Sequence, residues 1–192
     1  LEIVGVVDNL RGVFKPAGAG DPVEERGALA LLGGAVRVLS AMLRGRASNH
    51  STFVDDVGYF GFAKAVSATG IFRSADALAG LDALVGLAVG GPGRISLPAL
   101  LAEGGDEAIA PPQAFAAAVR EVPLLHPAAL ISVVRLSSTS PAMCQLTVLG
   151  ILLAYFDVPG GVREELAQAG ALYAMLDTFK GALQAGSMGG DL

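Results

Sequence analysis

Two stretches of this chain share one phrase. Residues 49–69 read NHSTFVDDVGYFGFAKAVSAT, and residues 161–179 read GVREELAQAGALYAMLDTF. Each is a short polar segment, a lone glycine (Gly58, Gly170) and then a mostly apolar segment. A pair of short helices cannot bury its apolar side alone, so a recurring phrase argues for units that stack and share one core. It argues against a single active-site scaffold. Glycine at the bend allows a left-handed cap and a close approach between the two segments.

The rest of the chain reads as helix. Leu172, Met175, Leu176, Phe179 and Leu183 follow the 3.6-residue period, which predicts one apolar stripe on a helix over 171–184. Tyr59, Phe62, Ala63 and Val66 show the same spacing. Segment 74–89 opens with Ser74 as the expected N-cap and Asp76 in the first turn. Segment 140–156 opens with Ser140 and places Pro141 at the first helical position, where a missing N–H costs nothing. Segment 126–136 again has a proline at its start, and 112–122 must end before Pro123. Further helices are expected over 2–14, 23–44, 48–57 and 161–169, with Gly33-Gly34 marking a kink or break in the second of these. Alternating strand patterns bounded by turns are missing.

Set side by side, these helices form a three-helix unit. One copy is 48–57, 58–69 and 74–89; a second is 112–122, 127–137 and 140–156; a third starts at 161–169 and 171–184. Segments 2–14 and 23–44 supply the end of an earlier copy. The first interval between long helices is about 44 residues, within the roughly 40–47 of armadillo and HEAT repeats. The second is longer, and the excess is assigned to a Gly/Pro-rich insert loop over 90–112. The expected fold is therefore an all-α, armadillo/HEAT-like right-handed helical-repeat solenoid over 1–186. A flexible tail is expected over 187–192. The third helix of each unit, 140–156 above all, should be apolar nearly all round because neighbouring layers cover it. The chain starts at Leu1 rather than Met and is read as a segment of a larger protein.

Composition narrows the function. Hydrophobic residues make up 53% and charged residues 16%, too apolar for disorder. The apolar run 146–156 is short of the roughly 20 residues a membrane span needs. Run 27–43 reaches that length only with Arg37 at its centre, which is costly in lipid. No transmembrane span is expected, and no signal peptide is read at the N-terminus. Net charge is −5 and the basic residues are scattered, which disfavours nucleic acid and anionic membrane surfaces. The single cysteine, Cys144, leaves no internal disulfide and no cysteine-based zinc site, and fits a reducing, cytoplasmic compartment.

Each residue with chemistry has a bland reading that is preferred. Asp55 and Asp56 are adjacent, but neighbours on a helix point about 100° apart and cannot easily share a proton. His50 and His126 lack companion ligands nearby and are read as turn or cap residues. Cys144 lies in an apolar helix and is read as a buried, inert thiol. The stretch 185–189 lacks the first glycine and the strand of a nucleophile elbow, and 90–94 lacks the ending of a phosphate loop. Arg44, Arg46 and Lys64 near one end, and Glu164, Glu165 and Asp177 near the other, are read as solvated charges that a partner could use. No catalytic, cofactor-binding or metal-binding residue is assigned, and no cofactor is expected.

Two segments, 49–66 and 124–176, resemble the armadillo-like N-terminal regions of the BEACH-domain proteins (the group of Alfy, the lysosomal trafficking regulator and neurobeachin). The carriers are His126-Pro127, Leu149, Leu152, Leu166, Gly170, Leu172 and Leu176, with Asn49, Phe53, Gly58, Tyr59 and Val66 in the first half. The resemblance covers about three-quarters of the chain, leaving out 90–112 and the tail. It implies a non-catalytic scaffold segment in membrane trafficking, lysosome or autophagy pathways. Such a segment binds protein partners and sits in the cytoplasm, with peripheral attachment to endomembranes through the full-length protein. It departs from importin-like armadillo proteins, since 83–90 and 150–156 carry no asparagine ladder for an extended peptide. The competing readings are a regulatory armadillo-like domain of another large protein, such as a formin, and an all-α hydrolase.

Overall fold

The apolar periodicity becomes helix in nearly the order read from the sequence. The computed structural model describes residues 22–45, 47–73, 76–104 and 109–187. Among these residues it holds ten α-helices, one 3₁₀ turn and no strand. In chain order they are α1 (Pro22–Gly45), α2 (Ala47–Asp56), α3 (Tyr59–Ser67), the 3₁₀ turn Ile71–Arg73, α4 (Ala77–Ala88) and α5 (Leu97–Glu103). Then follow α6 (Pro112–Arg120), α7 (Pro127–Ser137), α8 (Ala142–Phe156), α9 (Val162–Gln168) and α10 (Ala171–Ser187). The helix expected over 2–14, the N-cap expected at Ser74, Arg46 and residues 188–192 lie outside the described residues.

Local chemistry sets most boundaries. Pro112 and Pro127 open α6 and α7, where the lost N–H has no intrahelical partner to miss. Pro141 takes the position just before α8, one residue earlier than expected. The two glycine corners are alike. Gly58 (φ 67°) joins α2 to α3 and Gly170 (φ 89°) joins α9 to α10, both in the left-handed region that a side chain disfavours. Gly33-Gly34 makes no break; α1 runs through it for 24 residues.

Packing then orders the helices. α1 lies on α4 and α2, α4 on α7 and α8, and α7 on α10, while α3 also lies against α7. α7 is the hub: Leu130, Ile131, Val133 and Val134 are buried on several sides. Each fully buried leucine or valine contributes about 1.5–3 kcal/mol, so this one helix anchors much of the core. Its buried Ser132 and Ser137 hydroxyls donate back to the Ala128 and Val134 carbonyls, each at 2.7 Å, so both are satisfied within the helix. The loop before α7 is tied to the end of α4, because Leu125 N–H and His126 N–H both donate to the Ala88 carbonyl (3.0 and 2.9 Å). That carbonyl has no acceptor role inside its own helix end.

Three expectations need correction. The insert loop over 90–112 contains α5, and Ile95, Leu97, Leu100 and Ala110 are buried, so the stretch belongs to the core. Asp82 of α4 accepts from Leu97 N–H (2.7 Å) and Ser96 Oγ from Ala99 N–H (3.3 Å), which caps a helix too short to announce itself by period. The second correction concerns α8. It is covered on most sides, as expected, but the side carrying Leu146 and Leu153 is exposed. By contrast α4 is buried on nearly every face, and Gly86 there lets the 91–92 turn approach so closely that a Cβ would sit 2.6 Å from Pro92 Cα. The third concerns α10, which runs to Ser187, beyond the helix end expected at 184 and into the first residue of the expected tail.

α1 is the one helix among the described residues long and apolar enough to cross a membrane, by length and composition. Its window Arg26–Arg44 has mean hydropathy 1.4 and is one-third buried. In this fold Leu32, Val36, Leu39 and Leu43 form its inner face.

Candidate apolar groove and histidine cluster

The uncovered face of α8 is the floor of a groove. α6 and α10 both pack against α8 on either side of it. Between them Leu146, Gly150, Leu153 and Asp157 line up at the i, i+4, i+7, i+11 spacing of one helix face. The groove holds about 600 Å³ and is walled by Phe115 of α6, by Ile109 and Pro112, and by Met175 and Phe179 of α10. Gly150 makes its depth possible. The tip of the Phe115 ring is pressed against α8 there, and a Cβ at Gly150 would stand 2.5 Å from its Cζ. Among the described residues, Asp157 is the only charged residue in the lining.

α10 extends this apolar surface outward. Of the stripe expected from the sequence, Leu172, Leu176 and Phe179 are each more than half exposed, as is Tyr173, while Met175 is half-buried against the core and the Leu183 side chain lies outside the described residues. What α10 buries instead is Ala171, Ala174 and Thr178. Small residues let the helix approach α7 closely, and the Thr178 hydroxyl is satisfied by the Ala174 carbonyl (2.9 Å). Groove and stripe together make a continuous apolar surface of the kind that marks interaction sites.

Residues with chemistry are placed elsewhere. Asp55 and Asp56 are exposed at the end of α2, with Asp55 accepting from Ser51 Oγ at 3.2 Å. Cys144 is buried, and burial pushes its thiol pKa up, away from reactivity. Arg44, Lys64, Glu164, Glu165 and Asp177 are all exposed. Among the described residues, no group of three His, Cys, Asp or Glu side chains is arranged to hold a metal ion.

The two histidines, read separately in the sequence, come together. His50 of α2 stacks on His126, with ring centroids 5.3 Å apart and planes 19° apart. Tyr59 lies beside both, 5.4 Å from His126 and 6.1 Å from His50. His126 Nε2 and the Tyr59 hydroxyl are buried without a hydrogen-bond partner. Burial, and secondly the charge His50 can carry, hold the His126 pKa below its ordinary value. Burial drives the Tyr59 phenol strongly upward, so it stays protonated. The cluster is a contact between α2–α3 and the start of α7.

Sequence reasoning missed the groove. Its available signal was α8 itself: a helix with no polar face must be covered on all sides or offer one side to something else. The chain matches no known family model, no curated protein and no solved structure.

Proposed function

We propose that this chain is a non-catalytic helical-repeat scaffold segment, armadillo/HEAT-like in architecture, that receives an apolar helix of a protein partner in the groove between α6, α8 and α10. The observation that carries this reading is the open groove, continuous with the exposed Leu172–Leu176–Phe179 stripe. An apolar concavity lined, among the described residues, by one carboxylate suits helix-in-groove recognition, in which affinity comes from buried apolar anchors. The order of helix contacts supports the layered architecture. α3 lies on α7 and α7 on α10, matching second helix to second helix, while α1 lies on α4 and α4 on α8, matching third to third. Membership in a BEACH-type trafficking, lysosome or autophagy protein rests on the resemblance of segments 49–66 and 124–176.

A photo-crosslinking side chain at Leu153, in the full-length protein in its own cells, tests the groove. A discrete adduct with another protein is expected, absent when the crosslinker stands at exposed Lys64 and lost when Phe179→Asp is added. Equal labelling from both positions would overturn the reading. The transcript past codon 192 tests the family: a PH–BEACH and WD40 coding region is expected, and a catalytic domain in its place would remove the assignment.

A further inference from the structure

The histidine pair sits where two layers meet. His50 belongs to α2, Tyr59 opens α3, and His126 stands just before α7, where its N–H helps hold the Ala88 carbonyl of α4. The rings form one connected set: His50 on His126 at 5.3 Å, Tyr59 beside His126 at 5.4 Å, and Phe53 edge-on to Tyr59 at 5.1 Å. Behind them Tyr59 and Phe62 of α3 meet Leu84 and Leu87 of α4 and Ala129 and Val133 of α7.

This junction is poorly made for a positive charge. His126 Nε2 is buried without a hydrogen-bond partner, so a proton added there finds no acceptor. Its stacked neighbour is a second histidine, and two imidazolium charges at that distance repel. The elements packed around the rings carry Asp55 and Asp56 in α2, Lys64 in α3, Asp82 in α4 and Arg135 in α7, with Glu121 before α7 and Arg44 at the end of α1. Among the described residues, no carboxylate forms an ion pair with either ring. Asp82 accepts from Leu97 N–H and Asp55 from Ser51 Oγ. Arg44, a cation, reaches Gly90, which the Leu125 side chain also approaches.

We infer that this ring junction is an acid-sensitive latch between the first layer and the second: when the histidine pair takes up protons, α3 and the ring face of α2 come away from α7 before the rest of the fold opens. His126 sets the direction. Burial, and then the charge His50 can carry, hold its pKa below the ordinary value, so the latched form binds a proton less readily than the open one. Closure is fully favoured above the ordinary histidine pKa of about 6.5 and weakens as pH falls below it. One histidine that titrates at about 6.5 when released, and not at all when latched, raises the opening constant about 30-fold from about pH 7.5 to pH 5. That is too little to unfold a stable domain but enough to make this junction the first part to yield. Opening uncovers apolar surface: Phe53, Tyr59 and Phe62 on one side, Ala129 and Val133 on the other.

Hydrogen exchange on the full chain at about pH 7.5 and pH 5, read by mass spectrometry and corrected for the intrinsic rate, tests the latch. Amides of α2 and α3 should lose about five- to thirty-fold of their protection on acidification. Those of α10, at the other end of the helix order, should change less than about two-fold, and those of α4 should stay slower than those of α3 at both pH values. His126→Phe keeps a ring and removes the proton site, so the loss in α2 and α3 should shrink to about two-fold or less. Where circular dichroism shows that this variant does not fold as the parent does, His50→Phe takes its place: without the neighbouring charge the loss should fall by about half. Equal protection of α2 and α3 at the two pH values overturns the inference. So does an equal loss in α10, the mark of a general effect of acid, and so does a common rate for α3 and α4 at pH 5, the mark of global unfolding. An acid response that folded His126→Phe keeps, or that His50→Phe keeps in full in its place, overturns it as well, since the protons then bind elsewhere.

Discussion

His126 carries three duties at one position. Its carbonyl accepts from Ala129 N–H at the start of α7, its N–H holds the Ala88 carbonyl, and its ring stacks on His50. The first turn of a helix is also a poor place for a positive charge. Burial of the ring first, and then the neighbouring His50, oppose protonation, so the folded chain binds a proton on His126 less readily than the unfolded chain does. The stability linked to it is therefore fully present above the ordinary histidine pKa of about 6.5, and is lost as pH falls below it. Urea unfolding at a series of pH values should show stability falling from neutral pH toward pH 5. The slope should stay under about 1.4 kcal/mol per pH unit, the limit for one linked proton, because the ring is half-buried and partly screened. His126→Phe should flatten that slope between about pH 5 and 7. An unchanged slope would assign the effect to carboxylates elsewhere. Nothing in the sequence hinted at the pair, since the partners lie far apart along the chain and each alone looks like an ordinary turn residue.

At the scale of elements, α5 shows how a short helix escapes pattern reading. Its seven residues are two turns, too few for a period to emerge, and the glycines and prolines around it read as loop. What holds it is tertiary: Leu97 and Leu100 are buried, and Asp82 of another helix caps its first N–H. Replacing 95–104 by a Gly/Ser linker removes the burial of Ile95, Leu97 and Leu100 at about 1.5–3 kcal/mol each. That sum is on the order of the whole stability of a small domain. The cooperative melt should be lost or shifted far down, with reduced helicity. A variant that melts like the parent would return the segment to the role of a dispensable loop. α10 makes the opposite point. Its periodicity was plain in the sequence, yet the stripe that looked like core is the exposed one, because Ala171 and Ala174 permit a closer contact with α7 than leucines would.

For the molecule as a whole, contacts run from α1 through α4 and α7 to α10, with α1 and α10 each covered from one side. In a stack of layers, stability is a sum of neighbour terms, and end layers open more readily than the middle. Hydrogen exchange should find the slowest amides in α7 and α4 and faster ones in α1 and α10. One common rate for all four helices would contradict the layered reading. The helical class and most helix ends were legible in the chain itself. Prolines at helix starts, glycines at Gly58 and Gly170 and the 3.6-residue spacing act between residues at most four or so apart, and local sterics enforce them wherever the segment lies. Which stripe of α10 turns inward, that 95–104 joins the core, that α8 keeps an open face and that His50 meets His126 were decided only in the folded chain. Each depends on shape and capping supplied by residues distant in sequence, and no local pattern encodes the company a helix will keep.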